Sequence, residues 1–125
     1  VSIAAAAAQL VAALEAAGLR VAVRDGDLTP PCVYVPRPGT TSDAGVPLAG
    51  GRLAVFYVYY VPIRGVDNLA GDCAALDAIY DAVTPISFAE VAGTFSSVTV
   101  KNDSWPCYRL DVSMLGVPAA LTRKE

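Results

Sequence analysis

Every residue from Leu53 to Val61 is apolar or aromatic, and at the two-residue period of a strand neither face is polar. Val55, Tyr57, Tyr59 and Val61 lie on one side, Ala54, Phe56, Val58 and Tyr60 on the other. Such a strand is either central in a covered sheet or meets a partner. A turn at Pro62-Ile-Arg-Gly65 follows, and Asp67 or Asn68 can cap a helix over Leu69–Val83, ended by Thr84-Pro85. In that helix Leu69, Cys73, Leu76, Tyr80 and Val83 form one stripe, expected to face the core. Ala70, Ala74 and Ala78, with Gly71, Ala75 and Ala82, form the opposite arc, and Asp77 and Asp81 border it. The back of the helix is therefore small and smooth, a surface on which a second subunit can pack.

The rest of the chain reads around that unit. Ser2 can cap a first helix to about Ala17, with Ile3, Ala7, Leu10, Val11 and Leu14 at helical spacing and Gly18 as its stop. A short strand over Leu19–Val23 leads into the Asp25-Gly26 turn, and Cys32–Val35 is a second short strand between prolines. From Pro36 to Gly51 no period holds, so residues 36–52 are expected as a long arm or loop that orders on assembly, bracketed by Arg37 and Arg52. Near the C-terminus, strands over Gly93–Lys101 and Cys107–Ser113 form a hairpin with a five-residue loop, Asn102 to Pro106, anchored by Trp105. A frayed tail, 118–125, is expected after it. This order predicts a single α+β domain over 1–125: an antiparallel or mixed sheet of four to five strands with two helices packed on one face.

Composition sharpens this. With 54% hydrophobic and 17% charged residues, the 125-residue chain is more apolar than a soluble domain of its size requires, and part of the excess is expected to meet partners. Its net charge of −3 gives no electrostatic footprint for sequence-specific nucleic-acid binding. The absence of histidine removes the side chain best suited to proton transfer near neutral pH. Cys32, Cys73 and Cys107 are too scattered for a metal site and read as reduced, buried thiols. Asp25-Gly-Asp27 lacks the later ligands of a calcium loop. No nucleophile is paired with a base, so no enzyme, metal or cofactor is expected. The alanine-rich N-terminus has no basic n-region and is interrupted by Gln9 and Glu15, which argues for a soluble intracellular protein without a membrane segment. Arg64, close to a helix N-terminus whose dipole disfavours a cation, calls for a carboxylate partner.

Four phrases taken together, Asp25-Gly-Asp-Leu-Thr-Pro-Pro-Cys-Val-Tyr-Val35, Pro62-Ile-Arg-Gly-Val-Asp67, Asp72-Cys-Ala-Ala-Leu-Asp-Ala-Ile79 and Trp105-Pro-Cys-Tyr-Arg-Leu-Asp111, resemble the tail terminator proteins of long-tailed bacteriophages of high-GC hosts. The resemblance implies an α+β virion subunit that closes into a homo-hexameric ring on the head-proximal end of the tail tube and ends tube polymerisation. Its implied partners are further copies of itself, the tail tube protein and the head-tail connector protein, with DNA passing through the lumen without sequence-specific contact. It brings no catalytic, cofactor or metal residues. The candidate contact residues are Arg37, Arg52, Arg64, Ala70, Ala74, Asp77, Ala78 and Asp81. A neck stopper or adaptor is the nearest alternative. A regulatory module with Tyr57, Tyr59 and Tyr60 lining a small-molecule pocket is a more distant one.

Overall fold

A computed structural model describes residues 3–43, 52–87 and 90–116. Helix α1 (Ile3–Ala16) buries Ala6, Leu10 and Leu14, one residue per helical turn. Its end is set by Gly18, whose φ of +86° is the left-handed conformation that glycine adopts without a Cβ penalty. The Leu19 N–H then reaches the Leu14 carbonyl at 3.3 Å and the Gly18 N–H the Glu15 carbonyl at 3.0 Å, a Schellman closure. The expected cap, Ser2, lies outside the described residues.

Strands β1 (Val21–Ala22), β2 (Cys32–Tyr34), β3 (Pro38–Asp43), β4 (Arg52–Val61), β5 (Ala92–Val100) and β6 (Asp103–Gly116) form one sheet, with helix α2 (Leu69–Val83) between β4 and β5. The order is β1-β2-β4-β6-β5, and β3 lies beside the first half of β4. Only β1 and β2 run parallel; every other pair is antiparallel. The molecule is thus α+β, with six strands where four to five were expected.

The added strand is β3, in a segment expected to be loop. Its sequence Pro-Gly-Thr-Thr-Ser-Asp has no apolar alternation because main-chain pairing to β4 holds it, with a register shift between Pro38 and Thr40. Gly39 belongs there because any Cβ would collide with the Tyr57 ring. The remaining loop residues, 44–51, and the tail 118–125 lie outside the described residues.

The hairpin also differs from expectation. Strands β5 and β6 are joined by Lys101-Asn102 alone, with φ of 53° and 64°, the paired left-handed residues of a tight two-residue turn. Asp103 to Pro106 therefore continue β6, and Trp105 sits opposite Val98 rather than in a loop. Pro106 signals a loop in sequence, yet it is tolerated because it lies beyond the part of β6 that pairs with β4.

The main core lies between the helices and one face of the sheet. Ala54, Phe56 and Val58 of β4 lie opposite Met114, Val112 and Leu110 of β6, and α1 contributes Leu10 and Leu14 while α2 contributes Ile79 and Val83. On the other face a smaller cluster of Cys32, Tyr34, Val61, Val100 and Cys107 is flanked by Leu28 and Trp105. This pair of clusters accounts for a β4 apolar on both sides: the strand is central, with partial cover on its second face.

Helix α2 is rotated by nearly a quarter turn from its expected setting. Ile79 and Val83 are buried and Ala75, Leu76, Tyr80 and Ala82 pack against the core, whereas Leu69 is 80% exposed and Cys73, expected to be a buried thiol, is exposed. A stripe drawn from Leu69 omits Ile79, the one large side chain of the helix besides Val83 that the sheet fully covers.

Candidate interaction surfaces

The rotation of α2 changes the character of its outer face. Asp77 and Asp81 are exposed at the centre of that face rather than at its border, with Ala70 and Ala74 exposed beside them and Ala78 half-buried. In sequence this side is wholly acidic. Between Arg64 and Lys101 there are Asp67, Asp72, Asp77, Asp81 and Glu90, and no lysine or arginine. The opposite edge of the sheet carries charges of both signs: Arg20 and Arg24 around β1, with Arg24 Nε 3.5 Å from Asp27 Oδ2, exposed Arg37 just before β3, Asp43 at the end of β3 and exposed Arg52 at the start of β4. One flank of the molecule thus differs in charge from the other.

Arg64 finds its carboxylate within the chain. Its Nη1 and Nη2 donate to the two oxygens of Asp103 at 2.9 and 3.0 Å, and Nη1 also donates to the Ser104 carbonyl at 2.9 Å. The guanidinium lies 4.0 Å from the centre of the Trp105 ring. The hydrogen bonds from Arg64 hold the Asp103 carboxyl below its usual range. This fork ties the β4–α2 turn to the tip of the β5–β6 hairpin.

The three tyrosines proposed for a common pocket do not share one. Tyr60 faces the helices and donates to Asp72 Oδ1 at 3.2 Å; burial first, then the Asp72 charge and hydrogen bond, push its phenol up to about 12. It borders a cleft of about 420 Å³ with Arg20, Ile63, Val66 and Asn68. Tyr57 and Tyr59 lie on the helix-free face, edge to face at 6.4 Å. Arg109 sits 4.6 Å from the Tyr57 ring centre, and its Nε is 3.1 Å from Asp111 Oδ1, an ion contact without hydrogen-bond alignment.

Sequence reasoning did not single out the outer edge of β5. Among the described residues this nine-residue strand pairs only with β6, and from Ala92 to Val100 it contains no charge and no proline. Edge strands are usually guarded by such residues. Beside it α2 and the sheet leave a notch of about 270 Å³, lined by Leu76, Tyr80, Phe95 and Tyr108. Phe95 is 66% exposed and meets Tyr108 edge to face at 5.3 Å. A Cβ on Gly93 would collide with the Tyr80 hydroxyl, so the glycine lets the helix approach the strand. The signal in sequence was the uncharged run itself.

Among the described residues no group of three or more His, Cys, Asp or Glu side chains could hold a metal, and no helix is long and apolar enough to cross a membrane. No protein-family model matches the chain, and no curated protein matches it significantly.

Proposed function

We propose that this chain is a structural, non-enzymatic virion protein of the phage neck, a tail terminator that forms a ring on the head-proximal end of the tail tube and ends its polymerisation. The observation that carries the reading is the difference between the two flanks: an acidic α2 beside a bare strand edge on one, an arginine-bearing β1–β3 flank on the other. Head-to-tail contact of identical subunits requires two different, complementary patches, and such contacts generate closed rings when the rotation closes. The sequence resemblance supplies the place of that ring. Its contacts on this reading are further copies of the chain, the tail tube protein and the head-tail connector, with DNA in the lumen. Incubation with purified tail tubes, imaged by negative stain, tests it. Caps confined to one tube end and tubes that stop lengthening are expected; binding to connector but not to tubes would point to a stopper or adaptor instead.

A further inference from the structure

We infer that the cleft beside the β4–α2 turn, with the apolar patch on its rim, receives the segment that follows β6 in a second copy of this chain, Leu121 seated in the cleft and Arg123-Lys124 against the acidic start of α2. This rests on the ring reading and names one contact in it. The turn concentrates exposed apolar side chains. Among the described residues five large hydrophobics are exposed, and three of them, Ile63, Val66 and Leu69, at 48, 55 and 80%, stand within seven positions here. The Arg64 fork to Asp103 holds the turn in place, so the patch is a fixed surface of the kind that marks an interaction site.

The cleft's walls say what it can recognise. Its volume of about 420 Å³ falls within the roughly 300–1,000 Å³ of pockets that enclose a ligand. Leu19, Val33, Ile63, Val66 and Ala75 supply apolar wall, and Asp72, whose Oδ1 accepts the Tyr60 hydroxyl at 3.2 Å, brings a carboxylate. Asp67 is exposed on the turn just before α2. Arg64 on the turn is paired with Asp103, and Arg20 stands at the β1 end, so the α2 end of the cleft is acidic. An apolar side chain followed closely by a cation matches both parts of the site.

The chain itself contains such a segment. Val117-Pro-Ala-Ala-Leu121 is apolar, and after Thr122 comes Arg123-Lys124, the only adjacent pair of cations in the sequence; with Glu125 the segment keeps a net charge of +1. Residues 44–51, which connect β3 to β4 at the same end of the sheet as Gly116, carry no charge and lack the second half of the match. Distance assigns the segment to another copy. Gly116 pairs with Arg52 and Tyr108 with Tyr60, so the end of β6 lies eight residues from the level of the cleft, roughly 27 Å. Leu121 is five residues beyond Gly116, a reach of at most about 18 Å. A segment that leaves one end of a subunit and seats at the opposite end of the next makes a heterologous contact, the kind a ring requires.

The test is sedimentation and native mass spectrometry of the full chain, with circular dichroism to verify folding. Leu121→Asp removes the apolar anchor, and Val66→Asp alters an exposed part of its seat without touching the core. Each is expected to weaken self-association at least ten-fold. Arg123→Asp with Lys124→Asp is expected to do the same, and adding Asp67→Arg to that pair to recover most of the loss. Undiminished rings in folded Leu121→Asp and Val66→Asp proteins, or charge variants that Asp67→Arg does not rescue, overturn the exchanged segment while leaving the ring standing. A wild-type chain that stays monomeric both alone and with tail tubes overturns the ring reading, and this contact with it.

Discussion

Asn68 closes the first turn of α2 by accepting the Gly71 N–H at 3.1 Å, one of the donors a helix start leaves unpaired. Asn68→Ala is expected to cost about 1 kcal/mol in denaturant unfolding. Asn102 shows the opposite situation. It holds φ of 64° at the second turn position, where glycine is favoured in such hairpins, so Asn102→Gly is expected to raise the melting temperature. The thiols separate by environment: burial pushes Cys107 up to about 11 and raises Cys32, whereas Cys73 is exposed. A disulfide reagent at pH 8 should therefore modify one thiol quickly and two only as the protein opens; three equal rates would contradict this.

At the scale of elements, sequence pattern located both helices and β6 by their apolar period and β4 by its unbroken apolar run. It located β4 most securely, and Phe56, fully buried there, is expected to cost about 3–5 kcal/mol on truncation to alanine. Pattern missed β3 because a strand of threonine, serine and glycine held by backbone bonds leaves no apolar signature. It misplaced the hairpin turn because Pro106 signals a loop, and it set α2 nearly a quarter turn off: Leu76, Tyr80 and Val83 pack on the core as expected, but Ile79 and the alanines at 75 and 82 take the place of Leu69 and Cys73. Of the candidate residues, the exposure of Ala70, Ala74, Asp77 and Asp81 on α2 and of Arg37 and Arg52 was legible from their spacing, though not that the two aspartates stand at the centre of the outer face. The β5 edge was not, since being unpaired is a property of topology. Arg64 was legible only as a cation in need of a carboxylate; Asp103 is 39 residues away in sequence. The bond depresses the Asp103 pKa, so its contribution is present above the unfolded value near 4 and is lost as pH falls through the folded one. Trp105 is the only tryptophan, so its fluorescence should shift on acidification below about pH 4 in wild type, and that step should vanish in Arg64→Ala.

For the whole molecule, buried phenols and thiols tie stability to alkaline pH, Tyr60 among them. The Tyr60 phenol is raised by burial and Asp72 to about 12, so the folded state favours the neutral form. That contribution is complete below the unfolded value near 10 and is lost as pH rises through about 12; Tyr60→Phe should reduce the alkaline slope of the unfolding curve, leaving the part due to Cys32, Cys107 and Tyr59, which burial also raises. The larger property is polarity of surface. The sheet has helices on one face and an uncharged edge beside acidic α2, with charges of both signs at the other edge, and the proposed head-to-tail contact uses that difference. The most direct measurement is negative-stain imaging with native mass spectrometry of the chain alone and mixed with tail tubes. A closed ring, six copies by the resemblance, seated at one tube end is the predicted result, and monomers under both conditions would contradict it.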